Sequence, residues 1–102
     1  MDQILNLPTI VQQEVEDYAR GNWYKMRVYP VSDLERQTYS LIVVPEADYP
    51  LDIDARVVLL AQVREDTVFI ERDIADRPLY NELLRAGIVP DRIVRVAAGE
   101  IL

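Results

Sequence analysis

The side chains available for chemistry in this chain are carboxylates, arginines, tyrosines and a single lysine. Histidine and cysteine are absent, which removes Ser-His-Asp and Cys-His nucleophilic systems, histidine and thiolate metal sites, and disulfides. Gly21, Gly87 and Gly99 are scattered, so no phosphate-cradling loop is available. Two carboxylate clusters remain. The stretch 45–54, PEADYPLDID, carries Glu46, Asp48, Asp52 and Asp54, with Tyr49 and Leu51 between them. Its two-residue spacings suit a hard cation in principle, but the central glycine and terminal glutamate of an EF-hand loop are missing. The second cluster is Glu71, Asp73 and Asp76 with Arg72 and Arg77. A paired-carboxylate acid/base site is conceivable there. Helix capping and arginine pairing explain the same residues with fewer assumptions. No catalytic residue, metal site or cofactor is assigned from these patterns.

A third group, Trp23, Tyr24 and Tyr29 with Lys25 and Arg27, has the residue types of a base-stacking platform. The chain has 11 basic and 18 acidic residues and a net charge of −7, which repels phosphate backbones. Direct nucleic-acid binding is therefore unexpected, and the aromatics read as packing or interface residues. Ten of the basic residues are arginine, Lys25 being the exception.

The elements that position these residues follow from periodicity. From Thr9, Val11, Val15, Tyr18 and Ala19 share one face of a helix. Thr9 or Asn6, the latter with Pro8 in the first turn, offers the N-cap, and Gly21-Asn22 the stop. Period two predicts a strand over Trp23–Val31, with Pro30 confined to an edge, and a partner over Thr38–Val44 after a polar turn. Strands over Ala55–Val63 and Thr67–Arg72 flank a turn centred on Glu65-Asp66, residues that tolerate positive φ. Alternation puts Val68, Ile70 and Arg72 on one face of the latter strand, and Phe69 and Glu71 on the other. A helix then follows, with Asp73 or Asp76 as N-cap, Pro78 in its first turn and Gly87 as its left-handed stop. A last strand spans Ile93–Ala97, with Arg92 and Arg95 outward.

The order α-β-β-β-β-α-β predicts an α+β fold: an antiparallel sheet of four to five strands, in two hairpins, with both helices on one face. The 102 residues suit one domain over 1–102. No basic-apolar leader and no apolar run near ~20 residues is evident, so a cytoplasmic protein without a membrane segment is expected.

Two segments carry a resemblance. VREDTVFIERD (63–73) has an Asp-containing turn, then an alternating strand ending in a polar residue and Asp. LYNELLRAGIVPDRIVRV (79–96) joins an amphipathic helix, Ala-Gly-Ile, a proline with charged neighbours and a closing Ile-Val strand. Together they resemble the XisI-like family, small cyanobacterial proteins described as controlling factors for excision of a DNA element. The chain departs from that family's His-Ile-Asp-Ile strand, its Asp-Gly-Thr and its Pro-Pro-rich basic tail, where it has AQVREDT, DIADRP and AAGEIL.

The resemblance implies a non-catalytic accessory protein that binds a protein partner, an XisH-like nuclease being the implied candidate. An acidic protein restraining a basic nuclease is chemically sensible, because carboxylates can mimic phosphates. The expected contact residues are Glu46, Asp48, Tyr49, Asp52 and Asp54 with Trp23, Lys25, Arg27 and Tyr29, and self-association is expected too. The alternatives are a metal-dependent hydrolase built on Asp73, Asp76 or the Asp52/Asp54 pair, and a DNA-binding excision factor.

Overall fold

The computed structural model describes residues 6–99. Helix α1 spans Leu7–Ala19, and strands β1 to β4 span Met26–Asp33, Thr38–Pro45, Arg56–Arg64 and Thr67–Asp73. Helix α2 covers Leu79–Arg85 and strand β5 Ile93–Arg95, with short 3-10 turns at Pro90–Arg92 and Val96–Ala98. The sheet runs β1-β2-β3-β4-β5.

The expected element order holds, but the sheet is mixed. β1 to β4 pair antiparallel, whereas β5 pairs parallel to β4, Phe69 opposite Val94. The reason is topological. Strands joined by tight turns must reverse, while α2 carries the chain back across the sheet to begin β5 in the direction of β4.

Both helices pack on one face of the sheet and on each other. Leu7, Val11, Val15 and Tyr18 of α1 and Leu79 and Leu83 of α2 meet Tyr39, Leu41, Val43, Leu59, Ala61, Val68 and Ile70 in the core. Asn6 is the α1 N-cap, its Oδ1 accepting the Thr9 N–H at 3.1 Å. Thr9 therefore lies inside the helix.

The β3–β4 turn has φ of +48° at Glu65 and +63° at Asp66. Two consecutive left-handed residues match the right-handed twist of the flanking strands. Helix α2 ends on Gly87 at φ +103°, with Gly87 N–H donating to Leu84 O and Ile88 N–H to Leu83 O. That doubly bonded stop buries Ile88 beside Leu83.

Several boundaries shift for local reasons. β1 starts at Met26, because the Trp23 indole turns back to donate to Tyr18 O at 2.8 Å and Lys25 is left-handed at φ +52°. Pro78 occupies the α2 N-cap position, preceding rather than opening the first turn. β5 stops at Arg95. Arg95 lies opposite Ile70 on the helix side, its guanidinium 4.2 Å over the Tyr80 ring, instead of pointing outward. A register shift between Leu60 and Ala61 sets Arg72 opposite Leu60, on the face away from the helices and from Ile70.

Candidate protein-binding surface

The 45–54 loop is strapped to the start of β1. Glu46 N–H donates to Lys25 O at 2.9 Å, extending the β1–β2 ladder by one pair. The left-handed Lys25 then brings its ammonium to 2.7 Å from Asp48 Oδ2. The Tyr24 and Tyr49 rings meet at a centroid distance of 6.3 Å with their planes tilted by 56°, and Lys25 Nζ lies 5.7 Å from the Tyr24 centroid. Inside the loop, Tyr49 N–H donates to Glu46 O and Ile53 N–H to Leu51 O. The loop is a tethered platform despite its two prolines.

Glu46, Asp48, Asp52 and Asp54 are all exposed. Glu46 and Asp52 border one shallow hollow with Tyr49 and Leu51, and Leu51 is 64 % exposed. Lys25, Asp48 and Tyr49 therefore come together with these acids, and Tyr24 joins them. The sequence offered no sign of Tyr24's role beyond its place among the aromatics, since its contact with Tyr49 depends on the loop's return.

Arg27 and Tyr29 project from the opposite side of the sheet from the helices, Arg27 lying opposite Val44 and Tyr29 opposite Ile42. Their side chains meet only at 3.5 Å. Trp23 stands apart. It lines a cleft of about 420 Å³ with Tyr18, Met26, Ile53, Arg56 and Arg77. The Tyr18 hydroxyl donates to Arg77 O at 2.7 Å there, and burial raises its phenol above the ordinary value.

The β4–α2 junction uses its carboxylates for folding. Asp73 Oδ1 accepts the Ala75 N–H at 3.2 Å and Oδ2 the Leu79 N–H at 2.7 Å, so Asp73 caps α2 from six residues upstream. Asp76 is exposed. Among the described residues no three His, Cys, Asp or Glu side chains converge as a metal-binding group. Neither Asp73 with Asp76 nor Asp52 with Asp54 assembles such a set. No helix of the described residues is long and apolar enough to cross a membrane.

A five-stranded mixed sheet with two helices on one face and an exposed acidic loop at one end defines a small two-layer α+β domain. The profile of the XisI protein family matches residues 1–98, and the chain belongs to that family. A XisI-like protein from Anabaena variabilis has a similar fold at a TM-score of 0.73, with 21 % identity over 87 % of this chain and 82 % of that one. The fdxN element excision controlling factor XisI from Anabaena variabilis is similar at 0.65, with 17 % identity over 87 % and 86 % of the two chains. No curated protein matches the chain.

Proposed function

We propose that this chain is a non-catalytic accessory protein that works in the cytoplasm by binding a partner protein through the 45–54 loop and the start of β1. The partner class that fits is a basic nuclease of the XisH-like kind, restrained or controlled by the contact. The observation that carries this reading is the tethered loop: four exposed carboxylates are presented on a fixed backbone, and among the described residues only Asp48 is paired across the loop, to Lys25. Carboxylates held on a fixed platform suit a cationic groove that otherwise takes phosphates. Asp73, the acid best placed for chemistry, holds two backbone amides, which supports a binding role over a hydrolytic one. The similar protein described as an excision controlling factor extends the reading to control of a DNA-processing partner.

The test is co-expression with the product of the adjacent gene, followed by size-exclusion chromatography. Co-elution that is lost on Asp52→Lys with Asp54→Lys supports the reading. Separate elution of the two wild-type proteins contradicts it.

A further inference from the structure

The cleft beside Trp23 has an apolar interior and a charged mouth. Val43 and Val58, both buried, form its floor, and Tyr18, Trp23 and Met26 its walls. The polar atoms there are already satisfied. Trp23 Nε1 donates to Tyr18 O, the Tyr18 hydroxyl donates to Arg77 O, and Val58 O accepts the Ile74 N–H at 3.0 Å. Among the described residues no buried side-chain nitrogen or oxygen lacks a partner. The interior therefore suits an aromatic body, which ring and thioether walls contact well.

The mouth differs. Arg56 lies opposite Val43 in the β2–β3 ladder, which sets it on the helix face of the sheet. The Ile74–Val58 bond continues the β3–β4 pairing one step beyond Asp73, so Arg56 and Asp76 stand two residues past that bond on neighbouring chain segments. Both line the cleft and both are exposed. Among the described residues neither forms an ion pair, with the other or elsewhere. Arg56 donates only to the Asp54 carbonyl, from Nε at 3.5 Å. The third charge, Arg77, is committed: it lies 3.2 Å from Glu82 Oε1 and 4.4 Å over the Tyr18 ring. One cation and one anion thus stand without counter-ions at the entrance to an apolar cleft.

We infer that this cleft binds a free α-amino acid with an aromatic side chain. The carboxylate meets Arg56, whose planar fork donates to both carboxylate oxygens. The ammonium meets Asp76 on the side where α1 ends. Tyr18, in the last turn of α1, is bonded to Arg77 and so holds that end of the helix beside Asp76, where the negative end of the helix dipole favours a cation. The ring enters against Trp23 and Met26. A simple carboxylic acid would satisfy Arg56 and leave Asp76 facing a like charge, and a simple amine would do the reverse. Only a ligand carrying both groups answers both. The cleft's volume of about 420 Å³ is at the small end of the roughly 300–1,000 Å³ of ligand clefts, as a ligand of this size requires.

Trp23 is the only tryptophan of the chain, so its emission reports the cleft directly. The test is titration of the isolated full chain with L-phenylalanine up to about 10 mM, read by Trp23 emission and by calorimetry. No partner protein is present, so the outcome is independent of the partner reading. Saturable binding is expected. Phenylacetate, which lacks the ammonium, and phenethylamine, which lacks the carboxylate, should each bind about tenfold more weakly. Arg56→Gln and Asp76→Asn, both at exposed positions, should each weaken L-phenylalanine binding by about tenfold or more with circular dichroism unchanged. Asp52→Asn, in the loop, should leave it intact. No saturable signal in either readout, equal binding of the three compounds, or indifference to both mouth substitutions overturns the inference.

Discussion

The β4–α2 junction and the 45–54 loop have similar composition and opposite uses. Each is a short acidic connection interrupted by proline. At the junction Asp73 turns inward to accept two backbone amides while Asp76 stays exposed, and within α2 the largely buried Glu82 binds both Arg77 and Arg85. In the loop the acids stay in solvent, and Lys25–Asp48 is their one ion pair among the described residues. Carboxylates that satisfy a helix start are committed to stability. Those left exposed in the loop are available to another chain.

The sharpest way to break this contrast is at Asp73. Asp73→Ala leaves two partly buried amides without their acceptor and should cost about 1–3 kcal/mol, read from urea unfolding. Asp73→Asn, which retains one acceptor oxygen, should cost less. Asp52→Asn and Asp54→Asn should each stay within about 0.5 kcal/mol of wild type. If the loop substitutions destabilise as much as Asp73→Ala, the contrast fails.

Lys25→Met tests the strap. The pair is largely solvent-exposed, so its loss should cost no more than about 1 kcal/mol. It should nevertheless speed amide hydrogen exchange at Tyr49 and Glu46, whose backbone bonds hold the loop. Unchanged exchange would mean that the ladder and the Tyr24–Tyr49 contact hold the loop without Lys25.

The smallest effect concerns Glu14, on the α1 side of the junction. Partial burial, then the nearby Asp17 and Glu82, raise its pKa above 4.5, while Arg77 opposes them. A carboxyl whose folded pKa is raised favours the protonated folded state. Its contribution is greatest below 4.5 and is lost as pH rises through the elevated folded value. Glu14→Gln should therefore flatten the stability profile across that window and raise stability at neutral pH by no more than about 0.5 kcal/mol. A steeper profile in the variant would reverse the assignment.

Much of this architecture was legible in the sequence because it rests on local chemistry. Glu65-Asp66 and Gly87 are single positions whose backbone angles their neighbours cannot change, and the α1 stripe follows from spacing alone. The features missed are those that depend on where distant chain returns. The direction of β5 is set by the α2 crossover, and Arg72 changes face through an irregularity in strand pairing. The candidate surface was legible in composition only. The acids were evident, but the Lys25–Asp48 bridge spans 23 residues, and Trp23 left the group because its indole found the end of α1.

The central claim is that the free carboxylates of the loop, and not the structural ones of the junction, form the working surface. Its most direct test is a pull-down of the co-expressed adjacent gene product by wild type, by Asp52→Lys/Asp54→Lys, and by Asp73→Asn. Capture by wild type and Asp73→Asn, with loss in the loop double variant while its fold is intact, is the predicted result. Undiminished capture by the loop variant would contradict the claim.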